Sequence, residues 1–192
     1  MTKLRVTKRF QTARIEDIDA EVFPYVTDYE QSDADAGRGM LLSGPPGTGK
    51  TFSTVALTRW MVEQAAATRR RFDYEFVTAP DFFEQYGLFE GMDNATTFDA
   101  RRGQAFRVTY TEVPWLVLND LGKEYRGGKM AEQIPHLLGR VLRARSERML
   151  VTLITTNLTL ANFKEVYGLS ISSLLKESVR AFEITGKDRR GV

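Results

Sequence analysis

The chain of 192 residues contains no cysteine and one histidine, His136. Without cysteine there can be no disulfide scaffold, thiol nucleophile or Cys-ligated zinc, and a single histidine excludes a His-rich metal site. No run approaches the roughly 20 apolar residues that cross a bilayer. The basic start, residues 1–10, is not followed by the apolar core of a signal peptide. Together these absences favour a cytoplasmic protein with no membrane partner.

The charge balance is close to even, with 27 Lys and Arg against 25 Asp and Glu, a formal net charge of +2. That excludes a histone-like polycation but leaves room for a local basic patch. Hydrophobic residues make up 42% and charged residues 27%, a composition that argues against a mostly disordered chain. The length fits one compact domain, or a domain with a short arm.

Short apolar runs alternate with helical patterns along the chain. Residues 1–37 are predicted to be an irregular charged arm that ends in a polar loop over 31–37, and residues 38–192 the main domain. Strands are predicted over 40–43, 73–78, 115–118, 149–156 and 180–185. Helices are predicted over 50–68, from 80, and over 94–109, 131–145, 160–167 and 170–178. This alternation predicts an α/β fold, a parallel sheet flanked by helices on both faces.

A complete phosphate-loop motif follows the first predicted strand and precedes a helix. It reads Gly44, Pro45, Pro46, Gly47, Thr48, Gly49, Lys50, Thr51 and matches G-x-x-x-x-G-K-[ST] at every fixed position. Glycines let backbone N–H groups turn toward phosphates, and the helix N-terminus adds its positive dipole end. Lys50 is expected on the β- and γ-phosphates and Thr51 on Mg²⁺. The alternative is a Gly-rich turn without a ligand, but the motif and its context favour nucleotide binding.

A phosphate-loop enzyme also needs an acid at the tip of a neighbouring strand to hold Mg²⁺, often followed by one that orients the attacking water. Residues 115–124 supply the candidates Asn119 and Asp120. Here the chain resembles the AAA+ ATPases of the DnaC/DnaI type, the bacterial and phage helicase loaders, and the related IstB-type transposition ATPases. Besides the phosphate loop, the matching segments are Asp120-Leu-Gly-Lys-Glu124, Thr155-Thr-Asn157-Leu158, and residues 9–17 and 186–190.

The resemblance covers nearly the whole chain, from about residue 9 to the end. It implies a P-loop NTPase fold with an AAA+ core, ATP and Mg²⁺ as ligands, and assembly into a homo-oligomer with ATP. It also implies a task in DNA replication, with a replicative helicase or other DNA-processing protein and DNA, single-stranded by preference, as partners. Asp120 would polarise the water, and Asn157 would occupy the sensor-1 position beside the γ-phosphate. Because the last predicted strand lies close to Val192, we expect little or no C-terminal helical lid.

The first departure from the family pattern is Asn119. The family usually has two acids here, so Asn119 takes the metal-holding position and Asp120 the water-orienting one. An amide gives Mg²⁺ no charge, which predicts slow hydrolysis. Alternatively, Asp120 itself holds the metal with Glu124 only nearby, or Asn119 merely ends a strand.

The second departure concerns the arginine finger that reaches a neighbour's ATP. Ser173 stands where the family commonly has that Arg, and a hydroxyl cannot replace a planar, permanent charge. The candidates to compensate are Lys176, Arg180 and Arg145, although each is more often a surface charge.

The favoured function is therefore a slow ATPase (ATP and water to ADP and phosphate) that assembles on DNA and loads or remodels a helicase. One alternative is a nucleotide-gated scaffold that binds ATP and scarcely hydrolyses it. Another is an IstB-type transposition helper. Basic clusters at 69–71, 101–102 and 107, with aromatics such as Phe82 and Phe83, could contact DNA. Such clusters are more often solvated faces and core, so the DNA role depends on the resemblance.

Overall fold

The computed structural model describes residue 4 and residues 6–18, 20, 22–27, 29, 31–89, 109–124 and 130–186. The predicted helix over 94–109, except its last residue, lies outside this range, as do the arginines at 101, 102 and 107 and residues 187–190.

Within the described residues the strands and helices alternate as the sequence predicts. The strands are β1 Gly39–Ser43, β2 Tyr74–Thr78, β3 Trp115–Leu121, β4 Val151–Thr156 and β5 Val179–Glu183. The helices are α1 Phe23–Thr27, α2 Gln31–Asp35, α3 Lys50–Ala67, α4 Ala79–Phe89, α5 Met130–Glu147 and α6 Leu160–Ser178. Gly168 interrupts α6 with a non-helical backbone (φ 85°, ψ 169°), which explains why the sequence predicts two helices there.

The five strands form one sheet in the order β2-β3-β4-β1-β5, and every pairing is parallel. This confirms the predicted α/β fold. Because β4 lies between β1 and β3, the carboxyl ends of these three strands meet at one edge, where open α/β sheets bind ligands.

Side chains alternate between the two faces of the sheet. In β3, Leu116 and Leu118 pack into a core with α4, α5 and α6, whereas Trp115 and Val117 pack into a second core with α3. Parallel strands covered on both faces are expected to be apolar throughout. The buried runs of β1, β3 and β4 match that expectation.

The arm is more ordered than the sequence predicts. It contains two 3-10 turns, Lys8–Phe10 and Ile15–Asp17, and the helices α1 and α2. The predicted polar loop over 31–37 is wrong for Gln31–Asp35, which is helical. Buried arm side chains join α3 in the second core; they are Leu4, Ala13, Ile18, Val22, Val26 and Tyr29. One long helix covers only part of a sheet face, and the arm covers more of it.

Arg145, in the last turn of α5, is fully buried. Its guanidinium donates to the Thr152 hydroxyl at 2.9 Å and to the backbone carbonyls of Tyr110, Val113 and Val151 at 2.9, 2.9 and 2.6 Å. Burial lowers the pKa of Arg145 to about 9, which still leaves the side chain charged at neutral pH. Arg145 therefore joins the end of α5, the approach to β3 and the start of β4.

No helix within the described part of the chain is both long and apolar enough to span a membrane.

Arg145→Met should lower the free energy of unfolding by about 3 kcal/mol, because four buried acceptors lose their donor. Urea-induced unfolding measures this. Arg143→Met, on the exposed side of the same helix, is the matched control and should change stability by less than about 0.5 kcal/mol. Equal effects from the two variants would contradict the structural role of Arg145.

Candidate functional site

The phosphate loop connects β1 to α3 with a backbone that requires glycine. Gly44, Gly47 and Gly49 all have positive φ, at 139°, 80° and 87°. A Cβ on Gly44 would lie 2.1 Å from the Ile184 carbonyl oxygen, so no side chain fits there. At Gly49 a Cβ would meet no atom within 4 Å, so the backbone angle alone demands glycine. The loop thus has the turned, open form that a phosphate cradle needs.

The side chains of Lys50 and Thr48 donate hydrogen bonds to the backbone of the phosphate loop itself. The buried Lys50 ammonium donates to the carbonyls of Gly44 and Pro45 at 2.8 and 2.6 Å. It also lies 3.4 Å from the Thr48 hydroxyl, which donates to the Pro45 carbonyl at 3.0 Å. The ammonium charge is therefore fixed inside the loop, at the N-terminus of α3.

Hydrogen bonds at the sheet edge bring the phosphate loop and the β3 end together. The Asn119 Oδ1 atom accepts from the Thr51 hydroxyl at 2.7 Å and from the Thr155 hydroxyl at 2.9 Å. The Thr155 oxygen in turn accepts from the Asp120 backbone N–H at 2.9 Å. Thr51 belongs to α3, Asn119 to β3 and Thr155 to β4, so this chain of bonds crosses three elements.

Asp120 lies on a β-bulge. Its φ of 61° is left-handed, and the pairing of β3 with β4 slips between Leu118 and Leu121 so that β3 has one extra residue. The Asp120 Oδ2 atom accepts from the Lys123 ammonium at 2.8 Å. The bulge re-aims the Asp120 side chain, which sequence reasoning could not show.

One cavity of about 500 Å³ joins these residues. Its lining includes Lys50, Thr51, Asn119, Asp120, Lys123 and Asn157. All of the residues predicted for catalysis and metal binding therefore share one cavity.

The arm also lines this cavity. Arg9, Phe10 and Asp17 face the same space as Gly47, Gly49 and Phe52. The Arg9 guanidinium lies 5.3 Å from the centre of the Phe10 ring. The sequence analysis names residues 9–17 only as a segment that matches the family, because nothing local shows that they meet the phosphate loop.

Glu124 is buried and is not among the residues that line the cavity. One of its carboxylate oxygens accepts from the Tyr167 hydroxyl, and the other accepts from the Gly122 N–H at 2.7 Å. Glu124 thus ties the loop after β3 to α6.

The donor set fits Mg²⁺ and a nucleoside triphosphate. Mg²⁺ commonly takes only one or two protein oxygens and completes its shell with phosphate oxygens and water. The Thr51 hydroxyl and Asn119 Oδ1 are such oxygens, with Asp120 nearby. Within the described ranges, no group of three or more His, Cys, Asp or Glu side chains could hold a metal ion.

The three candidate arginine-finger replacements differ in access. Arg145 is wrong for this role, because its buried guanidinium is held by four acceptors within the chain. Arg180 donates to the Asp33 carboxylate at 2.9 Å. Lys176 is exposed on α6, as is Ser173.

The residues considered for DNA contact also separate. Phe82 and Phe83 are buried in the core and present no face for a base. Arg71 is exposed and pairs with Asp73 at 2.6 Å.

Comparison with solved structures finds the same fold in proteins of DNA replication. The chain is similar to the crystal structure of DnaI, with 21% identity over 97% of this chain and 95% of that one and a TM-score of 0.64. It is similar to the DnaC helicase loader, with 21% identity over 93% of this chain and 100% of that one and a TM-score of 0.69.

A third similar structure is the replication initiator DnaA bound to AMPPCP and single-stranded DNA. There the identity is 14% over 94% of this chain and 51% of that one, with a TM-score of 0.66. No protein-family model matches the chain, and neither does any curated protein sequence. The likeness is thus one of fold, and it agrees with the resemblance inferred from the motifs.

Thr155→Val should lower the free energy of unfolding by about 1–2 kcal/mol, because the Asp120 N–H loses its acceptor and Asn119 loses one donor. Urea-induced unfolding measures the loss. Thr155→Ser keeps the hydroxyl and is the control, which should recover most of the stability. A valine variant as stable as the wild type would show that these hydrogen bonds do not hold the strand ends.

Proposed function

We propose that the chain is an AAA+ ATPase of DNA replication that resembles the helicase loaders. It binds ATP with Mg²⁺ in the cavity at the ends of β1, β3 and β4. It assembles as a homo-oligomer on DNA, by preference single-stranded, and loads or remodels a replicative helicase. The predicted cytoplasmic location belongs to this proposal.

The contact between Thr51 and Asn119 carries the proposal. A phosphate loop alone indicates nucleotide binding, but catalysis also needs the second strand end beside it. The 2.7 Å bond from the Thr51 hydroxyl to Asn119 Oδ1 joins the two parts across 68 residues of sequence. The fold of DnaC and DnaI supports the choice among phosphate-loop proteins, and the AMPPCP and single-stranded DNA bound to DnaA support these ligand classes.

Phosphate binding falls to the loop and Lys50. Backbone N–H groups at the start of α3 donate to phosphate oxygens, and the helix dipole adds positive potential. The Lys50 ammonium exchanges the carbonyls of Gly44 and Pro45 for the β- and γ-phosphate oxygens, which are stronger acceptors because they are charged. Thr51 and Asn119 would hold Mg²⁺, which would supply further positive charge at these phosphates.

Water activation falls to Asp120 and Asn157. Asp120 accepts a hydrogen bond from the attacking water and orients it in line with the bond to the leaving oxygen. The Asn157 amide bonds the γ-phosphate and the same water. Lys123 neutralises part of the charge of Asp120, which makes the carboxylate a weaker acceptor and slows the step.

The arm residues that line the cavity bind the base of the nucleotide. Phe10 offers an aromatic face on which a purine can stack, and Asp17 offers carboxylate acceptors for an exocyclic amine. The cavity lining supports this assignment: Lys50, Thr51 and Asn119 are assigned to the phosphates and Mg²⁺, so the arm residues of the same cavity remain for the base.

A nucleotide-gated scaffold is the second candidate, and three observations favour it. Asn119 gives the metal no charge, Lys123 pairs with Asp120, and Ser173 replaces the family's finger. Steady-state ATP hydrolysis, measured with and without single-stranded DNA beside ATP affinity, separates the two. DNA-stimulated turnover supports the ATPase, whereas tight binding with turnover no higher than that of Lys50→Ala supports the scaffold.

An IstB-type transposition helper would have the same site residues. Only partner binding separates it from a helicase loader: pull-down with a purified replicative helicase supports loading, and pull-down with a transposase supports the alternative.

Lys50→Ala should weaken ATP binding about 100-fold, because a charge-assisted contact to two phosphates is lost. Calorimetric titration of ATP with Mg²⁺ measures the affinity. Lys164→Ala removes an exposed lysine of α6 and should leave the affinity unchanged. An unchanged affinity for Lys50→Ala would refute the phosphate-loop assignment.

Asn119→Asp should raise the turnover number for ATP about tenfold, because a carboxylate adds charge to the metal ligand. The readout is steady-state phosphate release at saturating ATP. Asn162→Asp, on the exposed surface of α6, adds the same charge elsewhere and should have no effect. A variant no faster than wild type would indicate that Asp120 holds the metal, or that the missing finger limits hydrolysis.

A further inference from the structure

A buried arginine in α3 holds the arm. Arg59 is 2% exposed. Its Nε donates to the Ala13 carbonyl at 2.8 Å, and its Nη2 donates to the Gln11 carbonyl at 2.6 Å. Both acceptors are backbone atoms, so these bonds fix the path of the arm whatever side chains it carries.

The side chain of Gln11 extends the same network along the arm. Its Nε2 donates to the carbonyls of Leu4 and Val6 at 2.7 and 2.8 Å. Further on, the Ala13 N–H donates to the Phe10 carbonyl at 3.1 Å. Arg59 and Gln11 thus organise the arm from residue 4 to residue 13.

Phe10 lies between these fixed points. It immediately precedes Gln11, and together with Arg9 it lines the nucleotide cavity. The Arg59 side chain is not among the residues that line this cavity, so it can affect nucleotide binding only indirectly, through the arm that it holds or through α3 itself.

We propose that Arg59 is a positioning residue for nucleotide binding. It holds the arm so that Phe10 and Arg9 line the part of the cavity that receives the base. The inference rests on the proposed function. Lys50 and Thr51 begin α3, and Arg59 lies nine residues later, about 14 Å along the helix axis. One rigid helix therefore positions both the phosphate loop and the arm residues that line the cavity.

Arginine suits this task for a geometric reason. Its planar fork reaches two carbonyls at fixed angles, whereas the lysine ammonium is a single point on a flexible stem. Arg59→Lys keeps the charge but puts one ammonium in place of the two separate donor atoms Nε and Nη2, so at least one of the two hydrogen bonds to the arm is weakened. The arm should then shift relative to α3 while the phosphate loop remains intact.

The experiment compares ATP affinity and turnover in matched variants of the full chain. Arg59→Lys should weaken ATP binding about tenfold, the order expected for loss of one base-stacking contact, and should leave the turnover number at saturating ATP unchanged. Arg145→Lys makes the same exchange at the other buried, carbonyl-binding arginine. It should alter ATP affinity less than twofold even if it lowers the melting temperature. Equal losses of ATP affinity in the two variants would overturn the proposal.

A double-mutant cycle with Phe10→Ala tests the route of the effect. If Arg59 acts by placing Phe10, the double variant should bind ATP no more weakly than the weaker single variant. Additive losses, or a Phe10→Ala variant with wild-type affinity, would overturn the proposal. Should Arg59→Lys fail to fold by circular dichroism, Gln11→Ala replaces it in the cycle, because it frees the arm at the Leu4 and Val6 carbonyls.

Failure of the proposed function looks different. Nucleotide binding at the phosphate loop would be refuted if the wild-type chain did not bind ATP, or if its affinity for ATP were the same as that of Lys50→Ala. Wild-type binding that depends on Lys50 but not on Arg59 would refute the positioning role alone.

Discussion

A parallel sheet with two apolar faces must be covered on both of them, and the site follows from how this chain meets that constraint. On one face α4, α5 and α6 share the work. On the other, α3 is joined by the arm, whose buried side chains complete the second core. The cover that the sheet needs is also what brings Phe10 and Arg9 to the cavity. Burial of the arm's apolar side chains thus also places the charged Arg9 at the cavity.

Two buried arginines, on opposite faces of the sheet, each attach another segment of the chain to a helix. Arg59 joins the arm to α3, and Arg145 joins α5 to the approach of β3 and the start of β4. Each donates to backbone carbonyls in the arm, on the approach to β3 or at the start of β4, where an unpaired buried carbonyl would be costly. The fork of an arginine can serve several carbonyls at once, which makes it a compact way to dock irregular chain segments onto a helix.

The sequence predicts this fold and much of its site because the signals are local. Apolar runs mark β1, β3 and β4, and the parallel topology then brings Thr51, Asn119 and Asn157 together. The arm is different. Ile18, Val22, Val26 and Tyr29 recur at helical spacing, a signal that the prediction of an irregular arm overlooked, whereas the burial of Leu4 and Ala13 could not be predicted. Nor could the role of Arg145, which looks like an ordinary cation in the last turn of a helix. The left-handed backbone of Asp120 is also hidden, because it arises from the bulge between β3 and β4.

The geometry of the candidate site is well defined, but the site has little negative charge where Mg²⁺ would bind. Thr51, Asn119 and Thr155 form a continuous set of hydrogen bonds between neutral groups. The Asp120 carboxylate, on the β3 side of the cavity, is paired with Lys123. Electrostatic stabilisation of the transition state usually contributes most to such catalysis, so loss of charge lowers the rate more than it lowers affinity. Binding depends mainly on Lys50 and the loop N–H groups, which are complete. Under the proposed function, this separation predicts a protein that holds its nucleotide well and turns it over slowly.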